Sequence, residues 1–349
     1  MKKNIFLLFT ALIALVACNS GGEKKGTKLS GAGATFPAPF YTLVFKDFTK
    51  KTGNEVTYGA TGSGSGIRSL KDRTVDFGAT DVYLSEEEIK EMGGNILHIP
   101  TAMGAVVLSY NLPGIDKINL TSSIISDIYL GNIKNWNDPK IKEINPEINF
   151  PDLEITPVYR SDGSGTTFVF TDYMSKVNQQ WKDKIGAGKS LEFPKGIAAK
   201  GNPGIAGIIS KTKGAIGYIG SEYALAQNIP FAALQNSSGK FIEANSKSIS
   251  ASANVDLPDD TRIMISNSSS PDAYPISTFT WIIVYQEQDY NNRGEEKARA
   301  LKNLLNFIVS PESQEGASRL NYAPIPEKAV ERVHAILNTM TYNGKPVAE

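Results

Sequence analysis

Between Arg160 and Phe168 the chain reads RSDGSGTTF, which sets a guanidinium, a carboxylate, several hydroxyls and two glycines within one short segment. Two other segments, GAGATFPAP from Gly31 and TGSGSGI from Thr61, share this texture. Each lies where an apolar strand pattern gives way to a helical one. The first N–H groups of a helix have no internal partner and sit at the positive end of its dipole. With glycines to admit a ligand and Ser or Thr to add donors, such a turn suits an anion. One such segment alone reads as an ordinary N-cap, for which Ser and Thr are preferred residues. Three in one chain, one of them preceded by an arginine, point to a shared oxyanion.

The alternatives are poorly supplied. GAGATF lacks the last Gly of G-x-G-x-x-G, and TGSGSGI misses it by one position. GAGKS (Gly186–Ser190) ends like a P-loop, but Asp183 stands where that motif needs glycine. Only His98 and His334 could serve as imidazole bases, and both are far in sequence from the Gly-rich turns. Ser164 is not in a G-x-S-x-G elbow, and no His/Asp cluster suggests a zinc or two-metal centre. A secreted hydrolase using Ser164 or Ser63 would lack its histidine. The equipment is for holding a ligand: no enzyme, no metal and no cofactor are expected.

The elements that must position these turns alternate along the chain, which predicts an α/β fold. A helix is expected over Pro37–Lys51, stopped by Gly53, then a strand over Glu55–Ala60 and a short helix over Gly66–Asp72. Val75–Asp81 reads as a strand with a polar end, and Ala105–Gly114 as an apolar strand closed by Pro-Gly. Ile155–Gly165 is a strand entering a turn, followed by a helix over Thr166–Val177 with Phe168, Val169, Tyr173 and Val177 inward. Gly201–Gly220 reads as helix then strand, Ser277–Gln286 as a long strand, and Ala298–Val309 as an amphipathic helix. Asn236–Asp260 is a helix-and-loop surface segment. The strands near Val106 and Trp281 are candidates for crossings between two lobes.

Lys+Arg and Asp+Glu balance at 36 each, so no global field favours nucleic acid or an anionic membrane. Lys2, Lys3 and the apolar run Ile5–Val16 fit a signal-peptide core rather than a membrane span. That run ends in Leu15-Val-Ala-Cys18, which resembles the bacterial lipoprotein box and holds the only cysteine. The expectation is a signal peptide over 1–17, a lipidated and polar tether over 18–28, and a protein tied to a membrane from outside the cytoplasm.

GAGATFPAPFY, VDFGATD, YLGNIKNWND, RSDGSGTTFVFTDY, GNPGIAG…GAIGYI and LNYAPIP, in this order, resemble the extracytoplasmic phosphate-binding proteins of high-affinity phosphate ABC importers. The match runs from Leu29 to about Pro326, nearly all of the mature chain. The resemblance implies a type II periplasmic-binding-protein fold: two α/β lobes, a hinge, and phosphate in the cleft between them. Lobe 1 would take 29–104 plus 278–349 and lobe 2 would take 105–277. It also implies a monomer that delivers inorganic phosphate to the permease and ATPase subunits of an importer, with no nucleic-acid partner and only a lipid anchor in the membrane. A receptor for sulfate or molybdate is the alternative.

The same resemblance places the phosphate contacts on residues already singled out. Thr35 and Phe36, with Ala34 beside them, would offer backbone N–H groups and the Thr hydroxyl. Ser63 would offer a hydroxyl, Asp81 a carboxylate and Arg160 a guanidinium fork. Asp162 would pair with Arg160, while Ser164, Gly165 and Thr166 form a helix-start cradle. Relatives often read Gly-Ser-Ser-Gly-Gly where this chain has Gly62-Ser-Gly-Ser-Gly66, so Gly64 removes one hydroxyl. Asp81 would accept the proton that phosphate carries and sulfate lacks; its ordinary alternative is a cap for a helix near Leu84-Ser85.

Overall fold

The computed structural model describes residues 26–348. The signal peptide, Cys18 and most of the tether lie outside the described residues. Strand β1 (Lys28–Gly33) runs into helix α1 (Ala38–Thr52), which ends at Gly53 in the left-handed conformation. Strand β2 (Glu55–Ala60), helix α2 (Ser63–Lys71), strand β3 (Phe77–Thr80) and helix α3 (Glu86–Met92) follow. The long strand β4 (Ile96–Tyr110) then leads to β5 (Thr156–Arg160), α4 (Gly165–Val177), β6 (Ile197–Ala199), α5 (Gly201–Lys211), β7 (Ala215–Gly220) and α6 (Ser221–Ala226). Strand β8 (Ser277–Tyr285) precedes helix α7 (Glu295–Ile308).

These strands form one mixed sheet in the order β2-β1-β3-β8-β4-β7-β5-β6. Its middle explains the architecture. From Ile96 to Ala105, β4 pairs antiparallel with β8; from Val106 to Tyr110 it pairs antiparallel with β7. The partner changes between Ala105 and Val106, so β4 belongs to both halves of the sheet. Helices cover the faces, and the near-continuous burial of β4 and β8 follows from that cover. Trp136, Trp181 and Trp281 are all fully buried.

Three sequence expectations need correcting. Strand β4 begins at Ile96, well before Ala105, although it contains Pro100. Opposite Thr280 and Trp281 stand Ala102 and Pro100, so Thr101 is the extra residue of a bulge. A bulge tolerates a proline inside a sheet. Helix α2 starts at Ser63 rather than Gly66. Its glycines suggest a loop by propensity, but a Cβ on Gly66 would lie 2.5 Å from Gly33 Cα, so close packing of α2 on β1 requires the residue. In α4, Val169 and Tyr173 are buried as expected, but the other buried large side chains are Phe170 and Met174, with Phe168 and Val177 half-buried. Phe170 stacks on Tyr218 of the sheet at 4.5 Å between centroids, which widens the helix's inner face.

Candidate functional site

The three Gly-rich turns converge where β1, β2 and β5 end, on the line at which β4 changes partners. Ala34, Thr35 and Phe36 join β1 to α1. The Ala34 N–H donates to Ala79 O at 2.9 Å, which removes it from the expected set of free donors. The Ala34, Thr35 and Phe36 carbonyls accept from the hydroxyls of Tyr58, Tyr223 and Tyr322 at 2.7, 2.6 and 2.6 Å. Three phenols thereby hold this short turn from the carbonyl side, and the Thr35 and Phe36 N–H groups have no hydrogen-bond acceptor among the described residues.

Ser63 opens α2, is buried, and its Oγ accepts the Asp81 N–H at 3.4 Å. Gly64 N donates to Gly163 O, linking the second and third turns, at 2.8 Å, and a Cβ on Gly64 would come within 3.2 Å of Gly163 Cα. The missing hydroxyl at this position is thus the mark of a close backbone approach between two turns.

Arg160 ends β5 and is 4% exposed. Its Nε and Nη2 donate to Asp162 Oδ1 and Oδ2 at 2.7 and 2.6 Å. One edge of the guanidinium is therefore committed, and the Nη1–Nη2 edge remains for another pair of oxygens. Asp162 also accepts the Gly201 N–H at 3.0 Å. Burial pushes its carboxyl up, but the Arg160 bonds and charge with the Gly201 N–H bring it below the ordinary range. Ser164 is the N-cap of α4, accepting the Thr167 N–H at 3.0 Å. That bond leaves the Ser164 hydroxyl proton free to donate, beside the opening N–H groups of Gly165 and Thr166.

Asp81 follows β3 and is 1% exposed. Thr280 Oγ1 donates to its Oδ1 at 2.9 Å and Thr166 Oγ1 to its Oδ2 at 3.3 Å. Burial pushes the carboxyl up to about 7, against the pull of the Thr280 bond and the Arg160 charge. Asp81 is not the cap of α3: Ser85 is, in a capping box with Glu88.

Sequence reasoning passed over four neighbours. Asn202 of α5 bonds to Thr35 and Thr166. Thr280 reads in sequence as a β-former, and Tyr223 as core. Glu222 is buried with both carboxylate oxygens unpaired, and burial, with Asp81 nearby, pushes its carboxyl well above the ordinary range. Of these only Asn202 left a signal, as the polar residue inside GNPGIAG.

Neither histidine bonds to Ser63 or Ser164. His98 Nε2 accepts the Leu84 N–H at 3.1 Å, and burial pushes the ring down to about 3. His334 Nδ1 lies 3.1 Å from Asn306 Oδ1. Among the described residues there is no group of three or more His, Cys, Asp or Glu side chains that could hold a metal ion. Nor is any described helix long and apolar enough to cross a membrane.

The model of the PBP superfamily domain matches residues 19–312. The phosphate-binding protein PstS of Xylella fastidiosa is 37% identical over 323 residues, covering 90% of this chain and 86% of the relative. That of Pasteurella multocida is 34% identical over 331 residues, covering 93% and 94%. Among solved structures, the phosphate-binding protein of Stenotrophomonas maltophilia superposes with a TM-score of 0.70 at 18% identity, over 89% of this chain and 94% of that one. The mixed α/β architecture with its shared central strand β4 is thus the periplasmic-binding-protein fold. The chain belongs to the PBP superfamily and, within it, to the family of the PstS phosphate-binding proteins.

Proposed function

We propose that this chain binds inorganic phosphate outside the cytoplasm and delivers it to the permease and ATPase of an ABC importer. The observation that carries the reading is the meeting of Arg160, Ser63, Ser164, Thr166, Thr35 and Asp81 in one buried site, each of them 4% exposed or less. The Nη1–Nη2 edge of Arg160 meets two phosphate oxygens, with Asp162 holding the guanidinium in plane and offsetting part of its charge. The N–H groups of Thr35, Phe36, Gly165 and Thr166 and the hydroxyls of Ser63 and Ser164 supply the remaining donors. Asp81 meets the oxygen that carries the proton. A dianion is then held mostly by dipoles and one shared cation, which suits a protein that must release its cargo.

In this reading lobe 1 is 29–104 with 278–349, lobe 2 is 105–277, and β4 and β8 are the crossings over which the lobes close. Bonds that cross between them support it: Gly64 to Gly163, Asn202 to Thr35, Thr166 to Asp81, and the ion pair of Lys189 with Glu88. Phosphate titrated into the purified protein should bind with one-to-one stoichiometry, and an aryl phosphate should show no turnover. Turnover without saturable phosphate binding would overturn the reading in favour of a hydrolase.

The protein acts as a monomer held by lipid on Cys18, the acceptor in the lipoprotein box. Metabolic labelling with a fatty acid should mark the wild type and not Cys18→Ser; equal labelling would remove the anchor.

A further inference from the structure

Asn202, the second residue of α5, is fully buried. Its Nδ2 donates to Thr35 Oγ1 at 3.0 Å and to Thr166 Oγ1 at 3.2 Å, while Oδ1 accepts the Gly220 N–H at 3.2 Å. A backbone N–H can only donate, so Gly220 fixes which way the amide faces. The Asn202 backbone N–H also donates to Thr35 Oγ1, at 3.1 Å. Two donors therefore fill both acceptor positions of the Thr35 hydroxyl, and its single proton must point away from Asn202. Thr166 Oγ1 likewise accepts from Asn202, and at 3.5 Å from Arg160 Nη1, while its proton faces Asp81 at 3.3 Å.

We propose that Asn202 is a positioning residue for the anion: it sets the sense of the Thr35 and Thr166 hydroxyls, so that Thr35 faces the ligand as a donor only while Thr166 keeps its one proton on Asp81. The inference rests on the phosphate reading above. An unconstrained hydroxyl can turn a lone pair toward the ligand; one already accepting twice cannot. Because Thr35 follows β1 and Asn202 follows β6, the same bonds also tie the two halves of the sheet together across the cleft. The preference this creates is for ligand oxygens without protons, complementing Asp81, which serves the oxygen that has one.

Calorimetry with inorganic phosphate on the full chain tests this through Asn202→Ala, Asn202→Asp, Thr35→Val and the Asn202→Ala/Thr35→Val double variant. Loss of two or three buried hydrogen bonds should weaken Asn202→Ala about 10- to 100-fold. Asn202→Asp, although close to isosteric, should bind still more weakly, because a carboxylate turns both hydroxyl protons toward itself. Its deficit relative to Asn202→Ala should shrink between about pH 8 and about pH 5 as the new acid takes up a proton. The double variant should bind at least about threefold more tightly than the two single losses multiplied together predict. A residue that only fills space would give the opposite order, with the isosteric Asp better than Ala, and independent losses. That order, additive losses, or wild-type affinity in Asn202→Ala would each overturn the inference. If Asn202→Ala does not fold, wild-type affinity in Asn202→Asp near neutral pH would overturn it alone. A wild type that binds no phosphate would instead strike the function proposed above.

Discussion

Two carboxylates face this site from opposite halves of the sheet, and they are held in opposite ways. Asp162 spends both oxygens on Arg160 and a third bond on Gly201 N–H, and these hold its carboxyl below the ordinary range, so under the phosphate reading it would act on the ligand only through the guanidinium it fixes. Asp81 has two hydroxyl donors and no cation in direct contact, and burial brings it to about 7. Under the phosphate reading proposed above, the comparison shows how one acid would steady a cation while another tests the ligand. Both residues are Asp, both stand beside a strand end, and their neighbours alone set the roles.

The largest expected effect lies on the testing acid. A site that leaves a buried polar group unpaired against the wrong ligand discriminates by about 10⁴–10⁵. With Asp81→Asn, an amide can donate to a fully deprotonated oxygen, so phosphate binding should persist while sulfate competition strengthens by at least about tenfold. Equal exclusion of sulfate by wild type and variant would assign the discrimination elsewhere. Because Asp81 lies at about 7, acidification should also loosen sulfate exclusion in the wild type, since a protonated carboxyl can donate. Sulfate competition that stays flat from neutral pH downward would contradict that role.

On the steadying side, Arg160→Ala should weaken phosphate binding by at least about tenfold, given roughly 1.5–3 kcal/mol for each charge-assisted bond. Arg160→Lys should fall between Ala and wild type, because an ammonium keeps charge but cannot span Asp162 and the ligand together. Equal losses for Lys and Ala would mean that the fork, and not the charge, carries the binding.

The same comparison extends to stability measured without phosphate. Asp81 has a folded pKa of about 7 against an ordinary 3.8, so the folded protein holds the extra proton and stability falls as pH rises through that window. His98 is depressed from 6.5 to about 3, so its contribution is lost as pH falls through the overlapping range. The two slopes oppose each other. Asp81→Asn should remove the first and make the protein more acid-labile than wild type, by up to about 1.4 kcal/mol per pH unit. Urea midpoints at several pH values check this; parallel curves would show that Asp81 is not buried in solution.

Gly64→Ser should have the smallest effect. The new Cβ would stand 3.2 Å from Gly163 Cα and 3.3 Å from its carbonyl oxygen, so the turn must give slightly, at about 1 kcal/mol. A gain in phosphate affinity instead would show that the hydroxyl reaches the ligand.

Much of this site was legible because its parts are local. Arg160, Asp162, Ser164 and Thr166 share one turn, and strand, cap and glycine chemistry fall within a few residues. What stayed hidden is whatever depends on distant strands meeting. Thr280 looks like any β-forming residue until β8 brings it to Asp81, which is 199 positions away. Asn202 reads as an ordinary polar residue at a helix start until the fold lays it against Thr35, 167 positions away. The start of β4 was hidden for another reason. Pro100 argues against a strand, and only the register with β8 reveals the bulge that admits it.

Strand β8 sits between β3 and β4, and its Thr280 bonds to Thr80 across a separation of 200 residues. Neither β3 nor the first two-thirds of β4 has a neighbour on that side until β8 arrives. A chain still emerging, or one truncated before Ser277, exposes two unpaired strand edges at the centre of its sheet, where self-association is favoured. Closing so long a loop is also slow. This arrangement makes β8 a timer: until it is added, Asp81 lacks its Thr280 donor and the sheet lacks its centre, so the buried cluster is complete only when most of the polypeptide is present in one place.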